Sequence, residues 1–488
     1  MPPVPAPTSR PSSTTSSTSA TFSATFSSTE ETARLLDRIA TVDPTIRAVC
    51  TLAPDALDQA RARDVEAAEG RARGPLHGRA VLVKDNIDTA DLPTTAGSLA
   101  LAGQPHPVAN APLVRRLRQA GMVVLGKTNL SEWANIRDAA STSGWSAYGG
   151  LTRNPYALDR SAGGSSSGSG AAVAAGLAAY AVGTETDGSI SCPAAYNGCV
   201  GIKPTVGLVP TAGLVPISRS QDVPGPMATT VRDAAALLSV LAGDGVDYAA
   251  HAVDGRLAGR RIGVPRGPSW GYSAEADAAA ERALSALSAA GAVVVDGTDL
   301  PTLPDSIWDD ELLVLLAELR ADLATYLSSR PGDGPRDLAE LVEFNRRHAD
   351  VELAHFGQGL FEQALAGPTT DSEEYAAARA RCVAASRGGG IDRVLAEHGL
   401  DVLVTPAYDR AHRIRLVGPE DLTGSCSGVP AMAGYPLLTV PSGLAGGLPV
   451  AVSFWGTAGS ERTLVEVAHA YESLRDPLPA PTFAETVG

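Results

Sequence analysis

Two glycine- and serine-rich segments flank one stretch of small apolar residues between residues 163 and 191. The first reads Gly-Gly-Ser-Ser-Ser-Gly-Ser-Gly from Gly163, and the second reads Gly-Thr-Glu-Thr-Asp-Gly-Ser-Ile-Ser from Gly183. The stretch between them, residues 171–181, predicts a buried helix of about three turns. Glycines on both sides allow backbone N–H groups to crowd around one point. We therefore expect a place suited to an anion or to a developing oxyanion.

The composition is that of a soluble globular enzyme and excludes several classes of protein. The chain has 488 residues, of which 44% are hydrophobic and 19% are charged. Its formal net charge of −15, with no lysine or arginine cluster, argues against a nucleic-acid-binding surface. No apolar run approaches the ~20 residues that a membrane span requires. We therefore expect neither a nucleic-acid partner nor a membrane span.

Cysteine and histidine are too few and too scattered to indicate a disulfide framework or a metal site. The five cysteines form no Cys-x-x-Cys pair, and the eight histidines form no His-x-x-x-His pair. The sequence therefore predicts reduced thiols in a cytoplasmic protein that has no metal and no cofactor.

The chain reads as one large domain after an N-terminal tail. Residues 1–28 are rich in serine, threonine and proline and predict a disordered tail, which leaves residues 29–488 as the domain. Residues 309–382 are helical and more polar, and they predict a helical insertion over one face of the fold. We find no internal repeat and no linker.

The order of the remaining elements indicates an α/β fold. Helical patterns alternate with short apolar runs, as at residues 80–83 and 121–125, and this alternation predicts parallel strand pairing. Residues 192–198 and 201–205 are predicted to be turns.

Three known motifs fit the glycine–serine loops poorly. Residues 164–168 match the Gly-x-Ser-x-Gly nucleophile elbow, but residues 156–162 before them are polar and turn-like, and no histidine is placed as a base. No lysine follows the glycines as a phosphate loop requires, and the dinucleotide fingerprint fails because no apolar strand precedes them. A surface linker is disfavoured because the apolar residues 171–181 should be buried.

The remaining candidate for a catalytic base is a lysine. Only three of the 39 basic residues are lysines: Lys84, Lys127 and Lys203. Lys84 directly follows the apolar residues 80–83, at the end of a predicted strand. A free lysine has a pKa of ~10.4, and burial lowers it by up to about 3–5 units. A buried lysine can therefore act as the base for a serine nucleophile at neutral pH.

These residues resemble the amidase signature family. The similarity covers Gly-Gly-Ser165-Ser, the segment that ends in Gly188-Ser189-Ile, and Val-Lys84-Asp-Asn, and it returns in Gly434-Tyr-Pro near the C-terminus. Asn129-Leu-Ser-Glu-Trp133 and Phe356-Gly-Gln358 are similar to peptide amidases. The resemblance implies a large mixed, mostly parallel twisted sheet with helices on both faces.

The resemblance also implies a Ser-cisSer-Lys triad. Ser189 would be the nucleophile, Ser165 would relay its proton after a cis peptide bond from Gly164, and Lys84 would be the base. The oxyanion hole would consist of the backbone N–H groups of Thr186, Asp187, Gly188 and Ser189. Lys127 and Lys203 match structural positions of the family.

The expected reaction is hydrolysis of a primary carboxamide, such as a C-terminal peptide amide, to acid and ammonia. The substrate is thus a small-molecule or peptide amide, and Asn135, Arg137 and Trp455 are predicted to line the cleft. This chain differs from many members of the family at two positions. Asp187 stands where many members carry glycine, and Ser191 stands where many carry arginine. The alternatives are the transamidating subunit of a tRNA-dependent amidotransferase and a non-catalytic scaffold. The oligomeric state stays open.

Overall fold

The computed structural model describes residues 26–267 and 269–487. The predicted tail, residues 1–28, lies outside the described residues except for its last three. Of these, Ser27 caps the first helix by accepting a hydrogen bond from the backbone N–H of Glu30, and Ser28 is the first residue of that helix. Among the described residues we find no helix with the length and hydrophobicity of a membrane span.

The described strands, in chain order, are β1 (Val49–Leu52), β2 (Ala80–Lys84), β3 (Val123–Thr128), β4 (Trp145–Ser146), β5 (Gly150–Leu151), β6 (Arg153–Asn154), β7 (Ala157–Ser161), β8 (Tyr180–Glu185), β9 (Val200–Lys203), β10 (Val223–Ala228), β11 (Arg261–Val264), β12 (Val293–Asp296), β13 (Val402–Pro406), β14 (Leu437–Ala445) and β15 (Leu448–Trp455).

The described helices are α1 (Ser28–Ile46), α2 (Ala56–Ala68), α3 (Leu99–Ala102), α4 (Pro112–Gln119), α5 (Ser167–Ala174), α6 (Ser191–Asn197), α7 (Val231–Ala242), α8 (Ala274–Ala289), α9 (Ser306–Ser329), α10 (Leu338–Arg347), α11 (Ala349–Glu352), α12 (Gly359–Ala366), α13 (Glu373–Ser386), α14 (Asp392–His398), α15 (Gly428–Ala433) and α16 (Glu461–Glu472). Short 3₁₀ helices lie at Glu132–Asn135 and Tyr248–His251, and a π-helical turn lies at Arg387–Ile391.

Eleven of these strands form one mixed sheet, in the order β1-β3-β2-β8-β10-β9-β14-β15-β13-β11-β12. Alternate residues of β14 and β15 face opposite sides. Leu437 and Trp455 pack with α6 and α14, whereas Leu438 and Phe454 pack with α8 and α16. The predicted large mixed sheet with helices on both faces is therefore confirmed.

The detail that this sheet is mostly parallel is corrected by the strand pairings. Parallel pairs occur only where β2 meets β3 and β8, and where β11 meets β12 and β13. The pairs from β8 across to β13, together with β1 and β3 at the edge, are antiparallel. One reason is that β14 and β15 are joined by the two residues Gly446 and Gly447, and such a short turn permits only antiparallel pairing.

The predicted helix over residues 171–181 is wrong in extent. The observed helix, α5, starts four residues earlier and ends at Ala174, and Gly176 follows with φ +66°, a left-handed conformation that does not continue a helix. Residues 180–185 instead form β8, between β2 and β10. Tertiary pairing has therefore overridden the helical propensity of the alanine-rich stretch.

The turns predicted at residues 192–198 and 201–205 are also wrong. The first segment lies in α6, where Pro193 is in the first helical turn and leaves the helix intact. The second largely forms β9, which pairs with β10 and β14. Both elements are fully buried, and burial against a sheet selects regular structure over isolated turns.

The region predicted as a helical insertion, residues 309–382, is occupied by the helices from α9 to α13. Its apolar side chains form a hydrophobic cluster with the segments that follow β2 and β3; the cluster includes Leu101, Trp133, Leu319, Leu323, Leu341 and Phe361.

A buried ion-pair network also joins the helical insertion to the segment that follows β3. Arg137 Nη1 contacts Glu132 and lies 3.5 Å from Glu352 Oε2, and all three side chains are fully buried. Glu352 Oε1 also accepts hydrogen bonds from Ser98 Oγ and from the backbone N–H of Leu99.

We expect Glu352→Ala to lower the free energy of unfolding by about 3–5 kcal/mol, because it leaves a buried arginine with one partner fewer and two donors unpaired. Glu397→Ala is the matched control, since the Glu397–Arg393 pair is half exposed and contributes at most about 1 kcal/mol. Urea denaturation followed by circular dichroism measures both changes. Equal losses in the two variants would contradict the role assigned to the buried network.

Candidate active site

Lys84 is the last residue of β2 and lies at the centre of the site. Because β3 and β8 flank its strand, the side chain is fully buried. Its Nζ donates to Ser165 Oγ over 2.7 Å, to Thr184 Oγ1 over 2.9 Å and to the Thr184 carbonyl over 3.2 Å. Asn86 Nδ2 donates to the same threonine hydroxyl over 2.9 Å. The strand and these partners hold the amine against Ser165.

Burial lowers the pKa of Lys84 from its ordinary value of 10.5 to about 7. Desolvation disfavours the charged amine and is the largest cause. The carboxyl groups of Asp222 and Glu185 act in the opposite direction but only in part. Lys84 is therefore half neutral near pH 7.

The other two lysines are also fully buried but bind different groups. Lys127 Nζ lies 3.3 Å from Asp85 Oδ1 and donates to the Ile87 carbonyl over 2.7 Å. Lys203 Nζ donates to the Tyr435 carbonyl over 2.7 Å. Of the three, only Lys84 has a recorded hydrogen bond to a hydroxyl of the glycine–serine loop.

The two glycine–serine loops meet, as the sequence predicts. The peptide bond between Gly164 and Ser165 is cis. The backbone N–H of the next residue, Ser166, donates to the Ser189 carbonyl over 3.0 Å. Ser165 is fully buried, whereas Ser189 retains 7% exposure and lines a cavity together with Gly164. Ser165 thus bonds the buried amine, and the residue after it bonds the backbone of Ser189 at the cavity.

Residues 186–189 present free backbone donors beside Ser189. Within the part of the chain that the structure describes, no hydrogen bond is recorded from their N–H groups. The next two N–H groups, of Ile190 and Ser191, both donate to Glu185 Oε2, over 2.7 and 2.8 Å. Glu185 therefore fixes the start of α6 and leaves the preceding donors available to an oxygen in the cavity.

A second loop supports this segment from the side. Thr186 Oγ1 donates to Asp222 Oδ1 over 2.6 Å, and Asp222 Oδ2 accepts from the backbone N–H groups of Ile217 and Ser218. Gln221 Nε2 donates to Glu311 Oε1 over 2.9 Å and is 3.4 Å from the Thr186 carbonyl. The helical insertion thus reaches the site through Glu311.

Two carboxyl groups on this side have raised pKa values. Burial raises the pKa of Asp187 to about 6, and the charge of Glu185 adds to this while a hydrogen bond from Ser427 opposes it. Burial, and then the charge of Asp187, raise the pKa of Glu311 to about 8. Both carboxyl groups therefore keep their protons to a higher pH than free carboxyl groups do.

The cavity beside Ser189 has a volume of about 280 Å³. Its lining comprises Ala134, Asn135, Ser143, Gly163, Gly164, Asp187, Gly188, Ser189, Cys192, Tyr408, His412, Glu420, Leu422, Ser425 and Ser427. Larger cavities of about 460 and 480 Å³ lie under the C-terminal segment and beside β1, but none of the predicted site residues lines them. The smaller cavity is therefore the candidate substrate cleft.

Of the three residues predicted to line the cleft, the structure places one in its wall. Asn135 lines the cavity. Arg137 does not, because its guanidinium is fully buried in the ion-pair network with Glu132 and Glu352. Trp455 does not either, since it lies in β15 within the core and is 1% exposed. The prediction for these last two residues is wrong.

Sequence reasoning missed several residues that shape the site. Thr184 belongs to the second glycine–serine motif, so a signal for it was available. Asp222, Gln221 and Glu311 follow no motif, because they come from a distant loop and from α9 and meet the site only in the folded chain. Within the described residues, no group of histidine, cysteine or carboxylate side chains is arranged to hold a metal ion.

Comparison with known proteins identifies the fold and the family. A family model described as Amidase matches residues 30–465. The chain belongs to the amidase family. This amidase is similar in structure to native peptide amidase from Stenotrophomonas maltophilia, with a TM-score of 0.88 and 47% identity over 94% of this chain and 96% of that chain. The predicted family and fold are therefore confirmed, and the protein is an enzyme of the amidase class.

Two curated relatives are similar to this amidase over most of their length. A putative amidase from Arthroderma benhamiae is 35% identical over 475 residues, which cover 89% of this chain and 77% of the relative. A glutamyl-tRNA(Gln) amidotransferase subunit from Chloroflexus aurantiacus is 36% identical over 471 residues, which cover 92% of this chain and 93% of the relative.

Gly164 leaves no room for a side chain in the wall of the cleft. A Cβ there would lie 2.4 Å from Ser131 Oγ and 2.8 Å from both Asn135 Nδ2 and Ser143 Oγ. We expect Gly164→Ala to lower the free energy of unfolding by about 1–3 kcal/mol, because the added methyl group displaces these side chains. The same displacement of the cleft wall should lower the rate of amide hydrolysis by about 100-fold. In the control, Gly103→Ala, the added Cβ meets no atom within 4 Å. Thermal melts and rates of ammonia release compare the two, and matching rates would refute the steric argument.

Proposed function

We propose that this amidase hydrolyses a primary carboxamide to acid and ammonia, with Ser189 as nucleophile, Ser165 as proton relay and Lys84 as base. The observation that carries the proposal is the 2.7 Å hydrogen bond between the buried Lys84 amine and Ser165 Oγ, next to a serine that lines the cleft. The preferred substrate is a C-terminal peptide amide.

The first half of the reaction forms an acyl-enzyme. Ser189 Oγ attacks the amide carbon while its proton passes to Ser165 Oγ, and the Ser165 proton passes to neutral Lys84. The carbonyl oxygen becomes an oxyanion and accepts hydrogen bonds from the N–H groups of Thr186, Asp187, Gly188 and Ser189; one such donor is typically worth about 3 kcal/mol in the transition state. The carbon–nitrogen bond then breaks as a proton returns from Lys84 through Ser165 to the nitrogen, and ammonia leaves.

The second half of the reaction releases the acid. A water molecule takes the place of ammonia and attacks the ester carbon, while its proton passes through Ser165 to Lys84. The intermediate collapses, and the proton returns by the same route to Ser189 Oγ. The enzyme is thereby restored, with Lys84 neutral.

The lowered pKa of Lys84 makes this relay effective at neutral pH. With a pKa of about 7, roughly half of the amines are ready to accept a proton at pH 7, against about one in 3,000 at the ordinary value. The other lysines lack a recorded bond to a cleft-side serine, so the structure favours Lys84 as the base.

The substrate assignment draws on similarity and on the shape of the cleft. The Stenotrophomonas maltophilia relative at 47% identity is a peptide amidase. A cavity of about 280 Å³ with free N–H donors beside Ser189 suits a carboxamide attached to one or two residues.

The similarity to the amidotransferase subunit from Chloroflexus aurantiacus supports a second candidate, in which the enzyme passes ammonia from glutamine to an aminoacyl-tRNA within a larger assembly. This candidate requires glutaminase activity and partner subunits. Incubation of the purified chain with glutamine and with peptide amides separates the two, because the hydrolase releases ammonia efficiently only from the peptide amides.

Removal of the nucleophile or the base should abolish turnover. We expect Ser189→Ala and Lys84→Met each to lower kcat/KM for a peptide amide by at least about 1,000-fold, because each breaks the relay. A fluorophosphonate should label the parent at Ser189 and leave Ser189→Ala unlabelled. The exposed Ser285 supplies a control, since Ser285→Ala should retain full activity. Full turnover by Ser189→Ala would refute Ser189 as the nucleophile, and a parent that neither turns over nor is labelled would support the non-catalytic scaffold instead.

The pH dependence of kcat/KM should follow the protonation of the Lys84 amine. Because the amine must be neutral to accept a proton, kcat/KM should rise with pH through a midpoint near 7 and reach a plateau above it. Asp222 raises the pKa of Lys84, so Asp222→Asn should move the midpoint to lower pH. The measurement is kcat/KM from pH 5 to 9 for both proteins. An unchanged midpoint, or one moved upward, would argue against Lys84 as the titrating group.

A further inference from the structure

Two unpaired acceptor oxygens lie in the wall of the cleft. Asn135 Oδ1 and Asp187 Oδ1 are both buried, and neither has a hydrogen-bond partner in the described structure. Both residues line the cavity that contains Ser189. A buried acceptor without a donor is costly, so native proteins rarely keep one without a functional reason.

The backbone around Asn135 is held in an uncommon conformation. Trp133, Ala134 and Asn135 are consecutive non-glycine residues with φ angles of 47°, 55° and 73°. Such left-handed residues are infrequent and persist where the surroundings hold them in place. Here the N–H of Trp133 donates to the Ala96 carbonyl, and the N–H of Ala134 donates to the Ser131 carbonyl. The turn places the Asn135 amide in the cleft wall.

Asp187 reaches the cleft from the opposite loop. Its backbone belongs to the segment of free donors, its carboxyl group accepts a hydrogen bond from Ser427, and its Oδ2 lies near Gly428. Glu420 adds a further acceptor group, but Ser143 already donates to both of its oxygens. The unpaired acceptors beside Ser189 are therefore those of Asn135 and Asp187, and no lysine or arginine is among the lining residues.

We infer that Asn135 and Asp187 determine substrate specificity by accepting hydrogen bonds from N–H groups of the acyl part of the substrate. The cleft would then take amides of N-acylamino acids and peptides, which carry an N–H next to the scissile carboxamide. Fatty and aryl amides lack this donor and would leave the acceptors unpaired in the complex. The inference rests on the proposed amide hydrolysis at Ser189.

The test uses two substrates that differ by one donor. N-acetyl-L-leucinamide carries the N–H, and its analogue 2-acetoxy-4-methylpentanamide has an ester oxygen there while the scissile carboxamide is unchanged. We expect the parent enzyme to release ammonia from the analogue with a kcat/KM lower by about 10- to 100-fold, because an acceptor loses its donor.

Variants then identify the acceptor. Asn135→Gly keeps the left-handed backbone and removes the side chain, and Asp187→Ala removes the carboxylate. In the variant that lacks the receiving oxygen, the ratio between the two substrates should shrink to about threefold or less. Asn135→Asp retains an acceptor and should retain the ratio. Ser285→Ala is the control, because this exposed serine is not among the residues that line the cleft and should leave the ratio unchanged.

Each outcome decides one claim. Equal kcat/KM for the two substrates in the parent, or a ratio that survives in both Asn135→Gly and Asp187→Ala, overturns the inference. Failure of the parent to hydrolyse either amide overturns the proposed function itself. If a variant turns over too slowly, calorimetric Kd values for both compounds in a Ser189→Ala background give the same comparison.

Discussion

The site depends on the burial of one amine. Lys84 ends a central strand between two others, where water cannot solvate its charge. A lysine in that position either finds a carboxylate partner or gives up its proton. Lys84 has only hydroxyl and carbonyl partners within hydrogen-bond distance, so the neutral amine is favoured.

Carboxyl groups around the site oppose the lowering of the Lys84 pKa by burial, and the net shift shows which of the two effects is larger. The charges of Asp222 and Glu185 both raise the pKa of Lys84, yet burial outweighs them and the net shift is downward. The same burial raises the pKa of Asp187 and Glu311, so that part of the negative charge is neutralised by protons. Desolvation therefore determines the direction of these pKa shifts, and the interactions between neighbouring charged groups change only their size.

The same carboxyl groups also position the backbone. Glu185 Oε2 holds the first N–H groups of α6, and Asp222 holds the hydroxyl of Thr186. Charge-assisted bonds of this kind are stronger than bonds between neutral groups. They allow residues 186–189 to keep free donors beside the cleft, although the segment itself has no regular secondary structure.

Local patterns in the sequence determined the family, the glycine–serine loops and the positions of Lys84, Ser165 and Ser189, because the residues of each motif are contiguous. The hydrogen-bond partners that separate Lys84 from Lys127 and Lys203 in chemistry were not visible, since all three lysines lie in apolar, buried strands. Only the tertiary structure decided that residues 180–185 are a strand, that Arg137 and Trp455 are buried away from the cleft, and that Asp222 and Glu311 reach the site. These features depend on which distant segments pack together, and contacts between distant segments leave no periodic signal in either segment alone.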